Sequence, residues 1–328
     1  MSLPRLGFLG IGWIGQHRLQ ALLDEQLCEV VAIADPSPEV QSKARELAPQ
    51  AAVVDTLDQL LAHTLDGVVI ATPSALHAQQ AMQALERKVA VFCQKPLART
   101  AQETRAILNA AREADRLLGC DLSYRHTEAM RRIRNEVVEG AIGKVYAIDL
   151  VFHNAYGPNK GWARDMQLAG GGCAIDLGTH LVDLALWVLG APPAAKVSSS
   201  LFARGRRLPV RPDEVEDYAI ATIETAEGTA IRLACSWEIS AGRDAIIEAH
   251  FHGERGGASM RNRNGSFFDF VAERYDGSRV TTLSQPPDAW GGRAACDWAR
   301  RLQAGARYEP AIESLQQVAT LMDAIYGR

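Results

Sequence analysis

The sequence predicts an α/β protein: a doubly wound parallel sheet first, then an α+β part built on a mostly antiparallel sheet. Three observations lead there. An apolar strand runs directly into Gly10-Ile11-Gly12-Trp13-Ile14-Gly15 and a helix. Short apolar runs then alternate with helical stretches as far as residue 122. From Ser123 the pattern changes to the two-residue alternation of strands, with hairpin-type turns such as Ala226-Glu227-Gly228 and Tyr275-Asp276-Gly277. At 328 residues the chain is long enough for two domains, which we place at 1–122 and 123–328.

The first strand, 6–9, leaves through Gly10, which allows the tight turn. Gly12 lets the backbone approach a pyrophosphate, and Gly15 lets the helix beginning at Ile14 sit close to the sheet. The N–H groups at the helix start, around Trp13 and Ile14, face the phosphates with the helix dipole behind them. The second strand, 30–34, ends on Asp35, twenty residues past Gly15, where a dinucleotide site uses an acid to grip the ribose hydroxyls. A carboxylate there repels a 2′-phosphate, and Pro36 and Ser37 supply no cation to receive one, so NAD is expected over NADP.

Helices at 39–47 and 57–62 flank a short strand at 51–54. The strand expected at 66–71 is apolar after Asp66, as a strand buried on both faces is, and ends at Thr72-Pro73-Ser74. Helix 77–87, strand 89–93, helix 100–116 and strand 117–122 complete the first domain. Ligands of such sheets lie across the carboxyl ends of the strands, where Gly10, Asp35, Thr72, Pro73 and Gln94-Lys95-Pro96 fall. Lys95 is either a surface lysine in a turn or an ammonium near the nicotinamide end, able to hold or protonate a substrate oxygen. His77 starts a helix near the cofactor, in a contacting or a structural role.

In the second domain a basic amphipathic helix, 124–138, precedes the turn Gly140-Ala141-Ile142-Gly143 and a strand at 144–152. Further strands are expected at 194–204, 217–225, 229–239, 245–253, 257–263, 267–275 and 279–283. Helices at 289–304 and 312–326 close the chain, the final one packing back on the first domain. Between these elements a flexible triple glycine, Gly170 to Gly172, leads into a helix that continues through Leu189. Asp176 and His180 are four apart, on one face near its start. The dipole there favours an ionised aspartate and a neutral histidine, and a neutral imidazole oriented by a carboxylate can take a proton from an alcohol. The segment fits equally an Asp176 that caps the helix and a His180 satisfied in the core. Asp176, His180 and Asp183 have no further histidine or cysteine at ligand spacing, so no metal is expected. His250 and His252 alternate on a strand and read as surface.

A net charge of −4 gives no reason to expect nucleic acid or an anionic membrane as partner. The apolar runs fall short of the ~20 residues of a membrane span. The chain enters a strand almost at once, so a signal peptide is not expected. Six scattered cysteines without a Cys-x-x-Cys pair suggest buried thiols in a reducing compartment, hence the cytoplasm.

Taken together, the glycine loop, Ala71-Thr72-Pro73, Lys95-Pro96, Gly140 to Val145 and the glycine-rich segment through Asp183 resemble the Gfo/Idh/MocA family of NAD(P)-dependent oxidoreductases. The resemblance covers nearly the whole chain. It implies a Rossmann domain followed by an α/β domain whose open sheet forms the interface of a homodimer or homotetramer. It implies that Lys95, Asp176 and His180 are catalytic: His180 removes a hydroxyl proton as hydride leaves for the nicotinamide, Asp176 orients it, and Lys95 polarises the oxygen. Tyr124, Arg125, Trp162 and Arg164 would line the substrate pocket; Trp162 fits either a ring that stacks on a sugar or a core tryptophan. One departure matters. The family usually has Glu-Lys-Pro, and Gln94 lacks the charge that would help keep Lys95 protonated. The expected activity is oxidation of a secondary hydroxyl of a sugar, inositol or related polyol. An NAD-dependent glycosidase working by transient oxidation and a silent dinucleotide-sensing regulator are the alternatives.

Overall fold

Strand after strand of the N-terminal half is apolar on both sides, and such strands need helices on both faces to hide them. The computed structural model, which describes residues 2–328, has that arrangement. The elements are β1 (Arg5–Leu9), α1 (Trp13–Asp24), β2 (Glu29–Ala34), α2 (Pro38–Leu47), β3 (Ala52–Val54), α3 (Leu57–Leu61), β4 (Gly67–Ile70), α4 (Ser74–Glu86), β5 (Ala90–Cys93), α5 (Ala101–Ala114) and β6 (Leu118–Cys120). All six strands are parallel, in the order β3-β2-β1-β4-β5-β6. The order reverses between β1 and β4, and the glycine loop leaves β1 at that point. An open α/β sheet binds its ligands there.

The second sheet is assembled from α6 (Glu128–Val138), β7 (Val145–Asn154), α7 (Met166–Ala169), α8 (Thr179–Leu189), β8 (Ala194–Ala203), β9 (Arg206–Arg207), β10 (Tyr218–Thr225), β11 (Ala230–Ser236), β12 (Ala245–Gly253), β13 (Gly256–Asn262), β14 (Phe270–Asp276) and β15 (Arg279–Ser284). Its nine strands run β15-β14-β13-β12-β7-β11-β10-β8-β9. Only β7 and β11 pair in parallel; every other neighbour is antiparallel. Burial alternates along β10, β11 and β12, so one face joins a core with α6 and α8 while the other is open. Helix α6 begins later than the periodicity suggests. Residues Ser123–His126 form a 3-10 turn, and Thr127 then caps α6 by accepting the Met130 N–H at 3.1 Å.

Two helices close the chain, α9 (Arg293–Gln303) and α10 (Ser314–Ile325). By contact the chain divides into one unit of residues 1–98, 102–123 and 291–313 and a second of 99–101, 124–290 and 314–328. It is α9, not the final helix, that joins the first unit. The Trp298 ring lies 5.6 Å from the Phe92 ring, in room that Gly67 and Gly119 leave: a Cβ on either would press into its indole. Helix α10 packs instead on α8 and β8 in the second unit, where Ser199 donates to the Ile325 carbonyl at 2.6 Å.

No cysteine forms a disulfide, and five of the six are buried. Burial pushes the Cys28 thiol up to about 12 and Cys93 and Cys173 well above their usual range, so these three are packing groups rather than nucleophiles. One correction concerns apolar length. The helical stretch Met166–Leu189 is 24 residues long and holds an 18-residue segment of mean hydropathy 1.4, enough by length and composition to cross a membrane. Its four glycines, Gly170, Gly171, Gly172 and Gly178, break the run to the eye, and 83% of that segment is buried within the protein as core.

Candidate active site

In the first unit the three glycines of the loop meet different surroundings. Gly10 has φ +77°, and a Cβ there would come within 2.8 Å of the main chain at Ala71 and Thr72. A Cβ on Gly15 would overlap the Gly10 carbonyl oxygen. Both positions are closed by the protein's own packing. At Gly12 an added Cβ meets nothing within 4 Å. Helix α1, starting at Trp13 and Ile14, has neither a side-chain cap nor an acidic residue in its first turn. A helix start in that condition presents unsatisfied N–H groups and a positive dipole end. Trp13 projects outward beside it, 61% exposed, its ring 4.4 Å from His17.

Asp35, at the end of β2, is already engaged with this loop. One carboxylate oxygen accepts the Ile11 N–H at 2.8 Å and the other accepts Ser37 N–H at 2.9 Å. A carboxylate has about four acceptor positions, so ribose hydroxyls can still be added. An uncapped helix start, an open Gly12 and a carboxylate at the next strand end are what a dinucleotide's pyrophosphate and ribose require.

The ends of β4 and β5 are tied together from within. The His77 ring nitrogens lie 2.8 Å from the carbonyls of Pro96 and Thr72. Burial holds this imidazole below the usual histidine range, so a neutral ring donates to one of the two. His77 thus acts as a staple between strand ends, and its nitrogens are turned to the main chain rather than to a cofactor. Thr72 Oγ1 bonds Gln80 at 2.6 Å, and Pro73 stands at the N-cap of α4. Lys95 follows β5 immediately and joins Pro96 through a cis peptide. Beside it the Gln94 amide donates to the carboxylate of buried Asp121, whose same oxygen takes Arg18 Nε at 2.5 Å. This gives the departure from Glu-Lys-Pro a local reason: a glutamate at 94 would face a second buried carboxylate.

In the second unit the helix carrying Asp176 and His180 opens as a π-turn, Ala174–Gly178, before tightening into α8. No periodic signal distinguishes the two, and the four-residue spacing keeps both groups on nearly one face in either geometry. His180 is 8% exposed, with the Tyr124 ring 4.8 Å from its own. Burial raises the Tyr124 phenol above its usual range, and the Asp176 charge adds to it. Tyr124, Asp176 and His180 therefore form one group. Trp237 belongs with them, donating its indole N–H to Asp176 Oδ2 at 3.1 Å. Its ring also walls a recess of about 520 Å³ with Phe202, Tyr218 and Glu238. The sequence gives no hint of Trp237, since it sits past the end of β11 in an irregular turn.

Other expected substrate contacts are placed differently. Arg125 grips Asp183 with two guanidinium nitrogens, Nε at 2.7 Å, and lies over the Trp187 ring at 5.8 Å. Asp183 is 1% exposed, and its carboxyl is raised by burial against the lowering effect of Arg125. This pair braces α8, so its arginine has a structural partner where a substrate contact is expected. Trp162 and Arg164 sit on the 3-10 turn Gly161–Arg164; Trp162 is under Lys160 Nζ at 5.9 Å, and Arg164 bonds Glu238 at 2.5 Å. His250 and His252 pair with Glu248 and Asp149 at 3.1 and 3.2 Å.

Residues 5–122 match the family model described as an oxidoreductase family with an NAD-binding Rossmann fold, and residues 130–259 match the GFO/IDH/MocA C-terminal domain. The chain is 28% identical to D-glucoside 3-dehydrogenase of Escherichia coli, over 71% of this chain and 69% of that protein. It is 31% identical to a putative UDP-kanosamine synthase oxidoreductase subunit of Amycolatopsis mediterranei, over 78% and 75%. Among solved structures, levoglucosan dehydrogenase in complex with NADH superposes with a TM-score of 0.84 at 23% identity, covering 99% of this chain and 96% of that one. That likeness is one of fold. The two matched models together with the Amycolatopsis relative establish that the chain belongs to the Gfo/Idh/MocA family of NAD(P)-binding oxidoreductases.

Proposed function

We propose that this protein is an NAD-dependent dehydrogenase acting on a secondary hydroxyl of a sugar, cyclitol or related polyol. The observation that carries the reading is the uncapped start of α1 beside an open Gly12, in a chain whose relatives carry sugar-dehydrogenase names. The dinucleotide supplies the hydride acceptor when bound. Gly10 to Gly15 receive its pyrophosphate and Asp35 its ribose. The carboxylate of Asp35, with no lysine or arginine at positions 36 to 38, favours NAD over its 2′-phosphorylated form.

In this reading the His180 imidazole takes the hydroxyl proton, Asp176 keeps that imidazole oriented, and the Lys95 ammonium stabilises the oxygen as it becomes a carbonyl. Trp237 holds Asp176 in place. A panel of sugars and cyclitols with NAD, followed by the absorbance of the reduced nicotinamide, tests the activity. Lys95→Ala and His180→Ala should each lower kcat by roughly a thousandfold and leave the Kd for NAD nearly unchanged. Equal loss of NAD affinity would assign those residues to the scaffold.

The reading extends to assembly and location. Two or four copies associate through the open face of the second sheet, where Ile220 is exposed and Asp149 pairs with Arg232 at 2.6 Å. Light scattering of wild type and Ile220→Lys tests this, and a monomer in both would refute it. Buried, unbridged cysteines suit the cytoplasm.

A further inference from the structure

The start of a helix leaves four N–H groups without intrahelical partners, and a buried start needs acceptors from elsewhere. In the helix that bears Asp176 and His180, the first four such groups are those of Gly172, Cys173, Ala174 and Ile175. All four end on two residues far away in sequence. Glu216 Oε2 accepts Gly172 N–H at 2.9 Å, Oε1 accepts Ala174 N–H at 2.8 Å, and the Glu216 carbonyl accepts Cys173 N–H at 3.1 Å. Tyr326 Oη accepts from Gly172 at 3.1 Å and from Ile175 at 3.3 Å, while donating to Glu216 Oε1 at 2.7 Å. The hydroxyl's one proton and two lone pairs are thereby all used. The next N–H, that of Asp176, makes the first intrahelical bond, to the Gly172 carbonyl at 2.9 Å.

The glycines are part of the same device. A Cβ on Gly171 would overlap the Tyr326 hydroxyl, and one on Gly172 would overlap the Glu216 carbonyl oxygen. Glu216 is 0% exposed, so this is an interior cap supplied from a distant part of the same chain. The residue one position on, Asp217, accepts the Trp237 N–H through its carbonyl at 2.8 Å, and Trp237 holds the Asp176 carboxylate. One short segment, 216–217, therefore governs both the helix start and the side chain of Asp176.

We propose that Glu216 and Tyr326 are positioning residues of the reaction, fixing the start of the helix so that Asp176 and His180 stand where proton transfer needs them. This rests on the dehydrogenase reading above. A displacement of about 1 Å at a catalytic group can cost on the order of a hundredfold in rate. Burial raises the Glu216 carboxyl from its usual range while its hydrogen-bond donors oppose that rise; charged or neutral, its oxygens remain acceptors.

The test uses Glu216→Gln, which turns an amide NH2 toward a backbone N–H, and Tyr326→Phe, which keeps the ring and removes the hydroxyl. Steady-state kinetics with the best sugar of the panel, the Kd for NAD, the Tm and the NMR titration of the His180 imidazole are measured on the full chain. The expected result is a kcat lower by about a hundredfold in Glu216→Gln and about tenfold in Tyr326→Phe. NAD affinity should be unchanged and the His180 midpoint displaced by roughly half a pH unit. If Glu216→Gln does not fold, Tyr326→Phe decides alone. A lowered Tm with wild-type kcat and an unmoved His180 titration would overturn the proposal, because both residues would then be only structural. Should the wild type oxidise no sugar, the dehydrogenase reading fails, and the His180 titration alone decides whether the cap positions the imidazole.

Discussion

Two glycine-rich turns in this chain each deliver a helix start, and they solve the same electrostatic problem in opposite ways. At Gly10 to Gly15 the helix start is left uncapped, and Gly12 faces open space. At Gly170 to Gly172 the helix start is buried, and its N–H groups are filled by Glu216 and Tyr326 from within the fold. The first turn leaves room for an anion from outside; the second brings its own carboxyl group. Glycine therefore serves approach in one turn and close packing in the other. The flexibility expected of the triple glycine is not its purpose, since a Cβ on any of its three members would press into a neighbouring group and Gly170 also holds φ +83°.

The sharpest way to break this contrast is to add one methyl group to each turn. Gly172→Ala forces a Cβ into the Glu216 carbonyl oxygen and should cost more than about 3 kcal/mol in unfolding free energy, read by urea titration. A tolerated alanine would mean that the second turn has slack, and the contrast would dissolve. The first unit also holds an internal carboxylate, Asp121, which serves Arg18 and Gln94 rather than a helix start. Gln94→Glu should destabilise the first unit by about 2 kcal/mol by opposing two buried carboxylates. Adding Asp121→Asn should recover most of that loss, since the pair again has one charge and one amide. Failure of the double variant to recover would show that the position of the charge matters as much as its presence.

The companion change on the open side is smaller. Gly12→Ala should leave Tm within the scatter of ordinary surface substitutions and weaken NAD binding about tenfold, near 1.4 kcal/mol, by calorimetry. An alanine that unfolds the protein while sparing NAD affinity would reverse the roles assigned to the two turns.

What the sequence disclosed and what it hid follow the same division. The glycine loop, Asp35 and the alternating strands of the first unit are local patterns, and a local pattern survives without its partners. The four-residue spacing of Asp176 and His180 is such a local pattern too, while their catalytic role comes only from the family resemblance. Glu216, Tyr326 and Trp237 were not legible. Each acts across a gap of more than forty residues, and nothing in its own neighbourhood marks it. The second sheet hid its order likewise: β7 lies between β12 and β11, a pairing that no hairpin signal announces. The destination of α9 depended on Trp298 finding the space above Gly67 and Gly119, which only the assembled sheet reveals.

The smallest predicted effect sets the two units against each other through pH. His77 in the first unit is held below its ordinary value of 6.5 by burial. As pH falls through that value the unfolded chain gains a proton that the folded unit refuses, so the first unit loses stability with acid. Glu216 and Asp183 in the second unit are raised by burial above 4.5 and 3.8. As pH rises past those values the unfolded chain gives up protons that the folded unit keeps, so the second unit loses stability toward neutral pH. His153, also held low by burial, adds a contribution of the His77 sign to the second unit, and a His153→Asn background removes it. Amide exchange, corrected for its intrinsic pH dependence, reads each unit separately between about pH 5 and pH 7.5. Protection in β4 and β5 should rise across that range by under about 1 kcal/mol, and His77→Gln should flatten the rise. Protection in α8 should fall over the same range. If both units drift in one direction, the opposed shifts of His77 in the first unit and of Glu216 and Asp183 in the second do not govern their stability.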